Sequence, residues 1–397
     1  MSRRQGISLF VATAIVMMVL SLSAKRSAAG LLSRNNKNIM RQWLSSSPST
    51  TNSDSYYTIG LTGSTGLVGN AFRDELARSA VTVNDKPVRV VRLIRGSSVQ
   101  EIQQDDKDQE DFTAQWNPHG TTADEILHPT AAQELDAIVH LSGENVATGL
   151  GPLGFLGLRP WTTAKKQEIL DSRTITTAAL RKVIAASTDK AKDFLVASGV
   201  GVYGADHFEN SHNNDDVLPD ESTDVSQTKG FLAEVSRQWE AASQLDEKSH
   251  HRIVNMRFGV VLSKNGGALE KLYPIFFLGG GGIVGSGQQY FPFISARDHA
   301  RAMVHTLQTP SLTGPVNLCA PTPATNAQFT AAFGQCLHRP TLLPFPSFAV
   351  QTLFGEMGEE MLLGGVLARP TKLLESGFSF QHGTVKEALK SALEETI

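Results

Sequence analysis

One stretch restricts the fold of this chain more than any other. Tyr57-Thr58-Ile59-Gly60-Leu61-Thr62 is a short run of strand-forming residues. It leads into Gly63-Ser64-Thr65-Gly66-Leu67-Val68-Gly69, and then into Asn70 to Ala77, where Ala71, Phe72 and Leu76 have helical spacing. Glycines in a strand-turn-helix let the backbone turn tightly. They also let a pyrophosphate reach the amides at the helix N-terminus, where free N–H groups and the helix dipole favour anions. A dinucleotide is therefore the expected ligand. An isolated glycine triplet is equally compatible with an ordinary turn, so the rest of the chain must decide.

From Tyr56 onward strands alternate with helices. Val88 to Ile94, Ala137 to Leu141, Phe194 to Ala197 and Arg252 to Phe258 read as strands, with helical stretches at Trp161 to Ala186 and Gly230 to Leu245. This order predicts an α/β fold, a Rossmann-type doubly wound parallel sheet with a smaller C-terminal substrate lobe. The expected division is a dinucleotide-binding domain over 56–260 and a lobe over 261–397, since 397 residues exceed what one core usually supports. The glycine-rich run from Gly279 to Gly287 suits either a lid on that lobe or a long turn. Ser97 to Asp111, acidic and glutamine-rich, reads as a solvated loop, and Gly149 to Pro160 as an apolar loop too short to span a membrane.

A net charge of -3 without a basic cluster in the folded part argues against nucleic acid as a partner. Cys319 and Cys336 are the only cysteines and have no metal-ligand spacing with histidines, so no metal is expected.

Residues 1–55 differ from the rest. Arg3 and Arg4 precede an uncharged run over 7–24, which fits a secretory signal or a short membrane anchor. Over 25–55, Lys25, Arg26, Arg34, Lys37 and Arg41 face a single acid, Asp54, and serines abound, as in an organelle transit peptide. The two parts together resemble the leader of algae whose plastids lie inside extra membranes. A mitochondrial presequence and a retained anchor are the alternatives, and membrane contact is expected only if 7–24 is retained.

The second strand bears on the choice of dinucleotide. An acid near its end holds the ribose hydroxyls of NAD, whereas a basic residue suits the extra phosphate of NADP. Here the strand ends Leu93-Ile94-Arg95-Gly96-Ser97, with no acid before Glu101, so NADP is the expected cofactor.

Longer agreements follow. Ala137 to Asn145, Trp161, Ser172-Arg173 with Thr176-Thr177, and Ala197 to Gly204 resemble the atypical, epimerase-family branch of the extended short-chain dehydrogenase/reductases. So do Trp116-Asn117-Pro118, Phe231-Leu232-Ala233, Trp239 to Ala242, Arg257 to Leu262, Gly279 to Gly287 and Asn317 to Pro321. The ending, with Gly355-Glu356 and Pro370 to Phe380, is similar to that family's own C-terminal domain of unknown function, here from about 345. The resemblance implies that the loop of Gly63, Ser64, Thr65, Gly66, Leu67, Val68 and Gly69 takes the pyrophosphate, and Ile94 and Arg95 the adenosine phosphate end. It further implies that Leu141, Ser142 and Gly143 take the ribose, with Glu168, Arg173 and Val261 also reaching the cofactor.

Catalysis does not carry over. Ordinary members use a Tyr-x-x-x-Lys pair, in which the lysine and cofactor lower the tyrosine's pKa. None of Tyr56, Tyr57, Tyr203, Tyr273 and Tyr290 has lysine four residues on. Ser198, Tyr203 and Glu144 are the remaining catalytic candidates. Ser198 serves equally as a strand-end cap, and His140 reads as a satisfied interior histidine. Two function classes follow. One is an NADP-dependent oxidoreductase or epimerase acting on a small molecule that the sequence does not identify. The other is a non-catalytic NADP-binding regulator or scaffold, linked to organelle division by analogy with relatives. Oligomeric state is not legible.

Overall fold

The computed structural model describes residues 55–105, 111–147, 160–205, 218–246 and 248–394. The leader therefore lies outside the described residues up to Asp54, and so does the apolar loop over 149–159.

Strand β1 (Tyr57–Thr62) is buried at every position, as expected of a central parallel strand covered on both faces. Helix α1 (Leu67–Arg78) follows it and turns Gly69, Phe72 and Leu76 inward. A two-residue strand β2 (Thr82–Val83) lies antiparallel to β3 (Lys86–Arg95), which pairs parallel with β1. Next come β4 (Gln103–Gln104), β5 (Phe112–Trp116), the short helices α2 (Ala123–Ile126) and α3 (Pro129–Glu134), and β6 (Ala137–His140). The chain goes on through α4 (Thr163–Ala185), β7 (Asp193–Gly199), a 3-10 turn at Val200–Tyr203, α5 (Phe231–Ser243) and β8 (Arg252–Phe258).

After residue 260 a two-stranded parallel pair forms from β9 (Val260–Leu262) and β10 (Phe293–Ser295), with α6 (Gly267–Phe277) between them. The chain then returns to the large sheet through α7 (Ala296–Gln308) and β11 (Gly314–Leu318). It ends with α8 (Asn326–Leu337), α9 (Ser347–Gly358), a π-helical turn at Glu359–Leu363, α10 (Thr371–Glu375) and α11 (Val385–Glu394).

The large sheet runs in the order β11-β8-β7-β6-β1-β3-β5-β4, parallel except for β4 at its edge and β2 beside β3. The order reverses between β1 and β6, and such reversals open a ligand crevice at the carboxyl ends of the strands. Side chains alternate between the two faces. Ala137 and Val139 join the core under α1 and α7, while Ile138 joins the core under α4 and α5. This is the expected doubly wound parallel sheet. A third core holds Leu262, Phe276, Phe293, Phe333 and Leu389 together in the lobe.

One expectation is revised. The stretch from Ser97 to Asp111 is not wholly solvated: β4 pairs with β5, and Asp111 holds Arg73 of α1 at 2.6 Å and Arg92 of β3 at 2.8 Å. The glycine run after α6 is bound along its length to the segment before α9, through Phe345 N to Ile283 O (2.8 Å) and Gly285 N to Phe345 O (2.9 Å). Among the described residues, no helix is long and apolar enough to cross a membrane and no cluster of three metal-ligating side chains occurs.

Candidate functional site: a dinucleotide cradle

The glycine loop joins β1 to α1. Gly63 has φ +67°, a left-handed conformation that excludes most side chains, and its carbonyl accepts Gly66 N–H at 3.1 Å. A Cβ on Gly69 would fall 2.3 Å from Gly63 O, so this helix-strand approach requires glycine there. Helix α1 has no side-chain cap at Gly66 and no acid in its first turn. Its N-terminal amides therefore face the crevice as an anion site. Asn70 braces the loop from the helix through Nδ2 to Thr65 O, 3.0 Å.

The neighbouring wall is the end of β6. Leu141 packs on Gly63, with Leu141 O only 3.0 Å from where a Cβ on that glycine would lie. Buried His140 organises this join. The Thr176 hydroxyl donates to Ser172 O (2.6 Å), so the proton on His140 sits on Nε2 and is donated to Thr176 Oγ1 (3.1 Å). His140 Nδ1 then accepts from the Thr62 hydroxyl (2.7 Å), which itself accepts Leu141 N–H (3.1 Å). Burial, assisted by the Arg95 charge, lowers the His140 pKa to about 3 and keeps the ring neutral. Histidine at this position is thus a structural strut, as its flanking residues suggested.

Cationic groups surround the cradle. Ile94 and Arg95 end β3 and are exposed, and the Arg95 side chain makes no hydrogen bond or ion pair to another described residue. Arg173 of α4 packs its guanidinium against Gly143, stacks over Trp239 at 4.9 Å, and donates one nitrogen to Ile169 O at 2.9 Å. No described carboxylate pairs with it. Burial lowers its pKa to about 10, with Glu144 nearby opposing the shift. Glu144 N is held by Ser172 Oγ (3.0 Å), and its carboxylate takes Lys165 Nζ at 2.6 Å, which also reaches Glu168 at 3.1 Å. Burial opposes the Lys165 charge, but the bonds to the two glutamates outweigh it and raise the lysine pKa. On the far side, Leu67 Cδ2 and Val261 O both lie against Gly267, 3.4 and 3.6 Å from where its Cβ would be. The loop, Arg95 and Leu141–Gly143 thus follow the carboxyl ends of β1, β3 and β6, with Arg173 against Gly143, Glu168 tied to Glu144 through Lys165, and Val261 sharing the contact at Gly267 with Leu67 of α1.

The catalytic candidates are placed differently. Ser198 Oγ donates to Glu240 Oε1 (2.8 Å), and Glu240 also takes Arg257 in a two-pronged pair, 2.8 Å on each side. Arg257 donates to Tyr203 OH (3.0 Å), which donates to Asn317 Oδ1 (2.9 Å). Tyr203 is fully buried, and burial pushes its hydroxyl pKa up. The Glu240–Arg257 pair was not assigned a role from the sequence: both residues fall in stretches that match the family, but they lie on separate elements and nothing local shows that they pair.

The C-terminal region clamps this frame. Asp298, in the first turn of α7, is fully buried and accepts Gln381 N (3.1 Å) and His382 N (2.7 Å). Glu360 accepts Phe231 N (2.6 Å) and Leu232 N (2.9 Å) at the start of α5.

The uncapped helix, the glycine that admits no side chain and Arg173, without a carboxylate partner among the described residues, together fit the phosphates and ribose of a dinucleotide. Comparison with known proteins agrees. Residues 59–319 match the NAD dependent epimerase/dehydratase family, and residues 345–392 match a domain of unknown function, DUF1731. An epimerase family protein of Mycobacterium bovis is 38% identical over 332 residues, 83% of this chain and 96% of the relative. The Arabidopsis thaliana relative named epimerase family protein SDR39U1 homolog, chloroplastic, is 31% identical over 86% of this chain and 88% of its own. A crystal structure of human epimerase family protein SDR39U1 with NADPH superposes with a TM-score of 0.67 at 28% identity, covering 85% of this chain and 100% of that one. The chain belongs to the NAD dependent epimerase/dehydratase family, within the extended short-chain dehydrogenase/reductases.

Proposed function

We propose that the chain binds NADPH in this cradle and works as an NADP-dependent oxidoreductase or epimerase on a small molecule held beside the nicotinamide. The observation that carries the reading is the charge pattern. Arg95 stands where an NAD-binding chain would place an acid, and the Arg173 guanidinium has no carboxylate partner among the described residues. The human relative solved with NADPH supports the same choice. In this reading the amides of α1 hold the pyrophosphate, Ile94 and Arg95 the adenosine phosphate end, and Leu141–Gly143 the ribose. Glu168, Arg173 and Val261 close the site. When bound, NADPH supplies a hydride. Positioning then carries most of the catalysis, with a proton from water or from the Glu144–Lys165 pair rather than a Tyr-Lys couple.

A second reading is a non-catalytic reader of NADPH. It is favoured by the fact that the hydroxyls of Ser198 and Tyr203 are both committed to protein partners, half-buried Glu240 and buried Asn317.

Titration of the full chain with NADPH and NADH, read by nicotinamide fluorescence, tests the first reading. It is followed by a panel of carbonyl compounds and nucleotide sugars. Tight NADPH binding with oxidation by one compound class is expected. Tight binding with no oxidation by any compound would favour the reader. Arg95→Asp should weaken NADPH about tenfold to a hundredfold while leaving NADH little changed; equal effects on both would place the phosphate elsewhere.

We also propose a plastid address carried by the leader. Its composition and the chloroplastic name of the Arabidopsis relative support this. Residues 1–55 fused to a fluorescent reporter should enter plastids of an alga with multiply bounded plastids; mitochondrial or membrane retention would reject the proposal.

A further inference from the structure

The domain of unknown function at the C-terminus holds the start of helix α5. Its π-helical turn places the Glu360 carboxylate on the first two amides of α5, 2.6 Å from Phe231 N and 2.9 Å from Leu232 N. The N-cap position itself is Gly230, which offers no side chain to those amides. A carboxylate from 129 residues away thus does the work that a local serine or aspartate does in most helices. The grip extends outward. The Phe231 ring packs edge-on against Trp161 at 4.9 Å and lies 4.9 Å from Lys166 Nζ, and Lys166 pairs with Glu356 of the same domain.

The inner side of this helix turn packs on the end of β7 and the turn that follows it. Leu232 Cβ lies 3.4 Å from where a Cβ on Gly201 would be, and Ser236 Oγ lies 3.5 Å from the same point on Gly199. Gly199 ends β7. In a doubly wound sheet, the strands beyond the reversal serve the second half of a dinucleotide, so α5 and the end of β7 border the nicotinamide rather than the adenosine. In ordinary members of the superfamily the catalytic couple stands on this helix, whereas here the helix carries Leu232 and Ser236.

We propose that Glu360 is a positioning residue: through the two amides at the start of α5, the C-terminal domain sets the wall against which the nicotinamide and the substrate lie. This rests on the NADPH reading above. It gives the domain a role in the site without any contact between the domain and the cofactor. Glu356 and Lys166 act on the carboxylate with opposite charge effects.

The test uses the full chain and two probes, NADPH and the adenosine bisphosphate fragment of it that lacks nicotinamide. Glu360→Ala should weaken NADPH about fivefold, the effect of losing one helix cap, and reduce the emission of the bound nicotinamide. Binding of the fragment should be unchanged. Glu360→Gln, which keeps one acceptor oxygen, should recover part of the loss. A purely structural role predicts that Glu360→Ala weakens both probes alike, and that result, or no change in either, overturns the proposal.

Hydrogen exchange on the unmodified chain guards against a variant that does not fold. NADPH should slow exchange at Phe231, Leu232 and the turn Glu359–Leu363, and the fragment should not. Equal slowing by both, or by neither, also overturns the proposal. Failure of the unmodified chain to bind NADPH would instead reject the cofactor reading, and this inference with it.

Discussion

A Cβ at position 69 would lie 2.3 Å from the carbonyl oxygen of Gly63, inside any tolerable contact. That carbonyl is also the acceptor that closes the loop onto Gly66 N–H. Gly69→Ala must therefore push the start of α1 away from β1, opening the turn that aims the helix amides at a phosphate. Overpacking of this kind costs about 1–3 kcal/mol. We expect a lower urea midpoint together with NADPH binding weakened at least about tenfold. Loss of stability with unchanged NADPH affinity would show that the pyrophosphate does not use this loop.

Arg173 separates stability from binding. Its guanidinium is stacked on Trp239 and bonded to one backbone carbonyl, yet has no described carboxylate partner, and burial lowers its pKa to about 10. A charge kept in this way costs the free protein, and in the proposed site it would be offset by a phosphate. Arg173→Met keeps the stacked bulk and suits a helix interior. The variant should melt at the same or a higher temperature than the parent while binding NADPH about tenfold or more weakly. A lower melting temperature with normal affinity would make Arg173 a structural residue.

Two buried histidines set the behaviour in mild acid. His140 and His299 are both fully buried, and desolvation lowers each pKa to about 3 from an ordinary value of 6.5. The unfolded chain takes up protons at these residues below 6.5, while the folded chain does not. Their contribution is thus present above 6.5 and is lost as pH falls toward 3. Each group adds a slope of about 1.4 kcal/mol per pH unit once the unfolded form is protonated. His299 has no hydrogen-bond partner on either ring nitrogen among the described residues and meets Phe258 edge-on at 4.2 Å. His299→Leu should therefore keep its stability between about pH 6 and 5 better than the parent, by about one such slope. Denaturant titrations at the two pH values measure this, and equal losses in both proteins would mean that His299 is charged or hydrated when folded.

The parts legible in the sequence are those carried by local pattern. The glycine loop, the strands around it and Arg95 could be read because strand periodicity, glycine spacing and a missing acid are all encoded within about 40 consecutive residues. His140 was readable as interior from its apolar neighbours, but its partners Thr62 and Thr176 lie 78 and 36 residues away and leave no local trace. The same holds for Glu240 with Arg257, and for Glu360 with the start of α5. The acidic stretch ending at Asp111 was misread because composition cannot distinguish a solvated acid from one paired with Arg73 and Arg92.

Tyr203 is the remaining test of whether the branch has replaced its proton donor with structure. Its hydroxyl accepts from Arg257 and donates to the side-chain oxygen of Asn317, whose backbone N–H donates to Glu221 at 2.9 Å and whose side-chain nitrogen donates to Arg369 O at 2.8 Å. Tyr203→Phe would leave a buried guanidinium nitrogen and a buried amide oxygen each without a partner, a loss of about 1–3 kcal/mol. Ser198→Ala should cost less, since Glu240 keeps both bonds to Arg257. If the network is structural, both variants lower the urea midpoint, Tyr203→Phe by more, and bind NADPH within about twofold of the parent. Should a turnover assay be found, their kcat should follow the folded fraction. A Tyr203→Phe protein of full stability that binds NADPH and has lost turnover would instead return this tyrosine to the reaction.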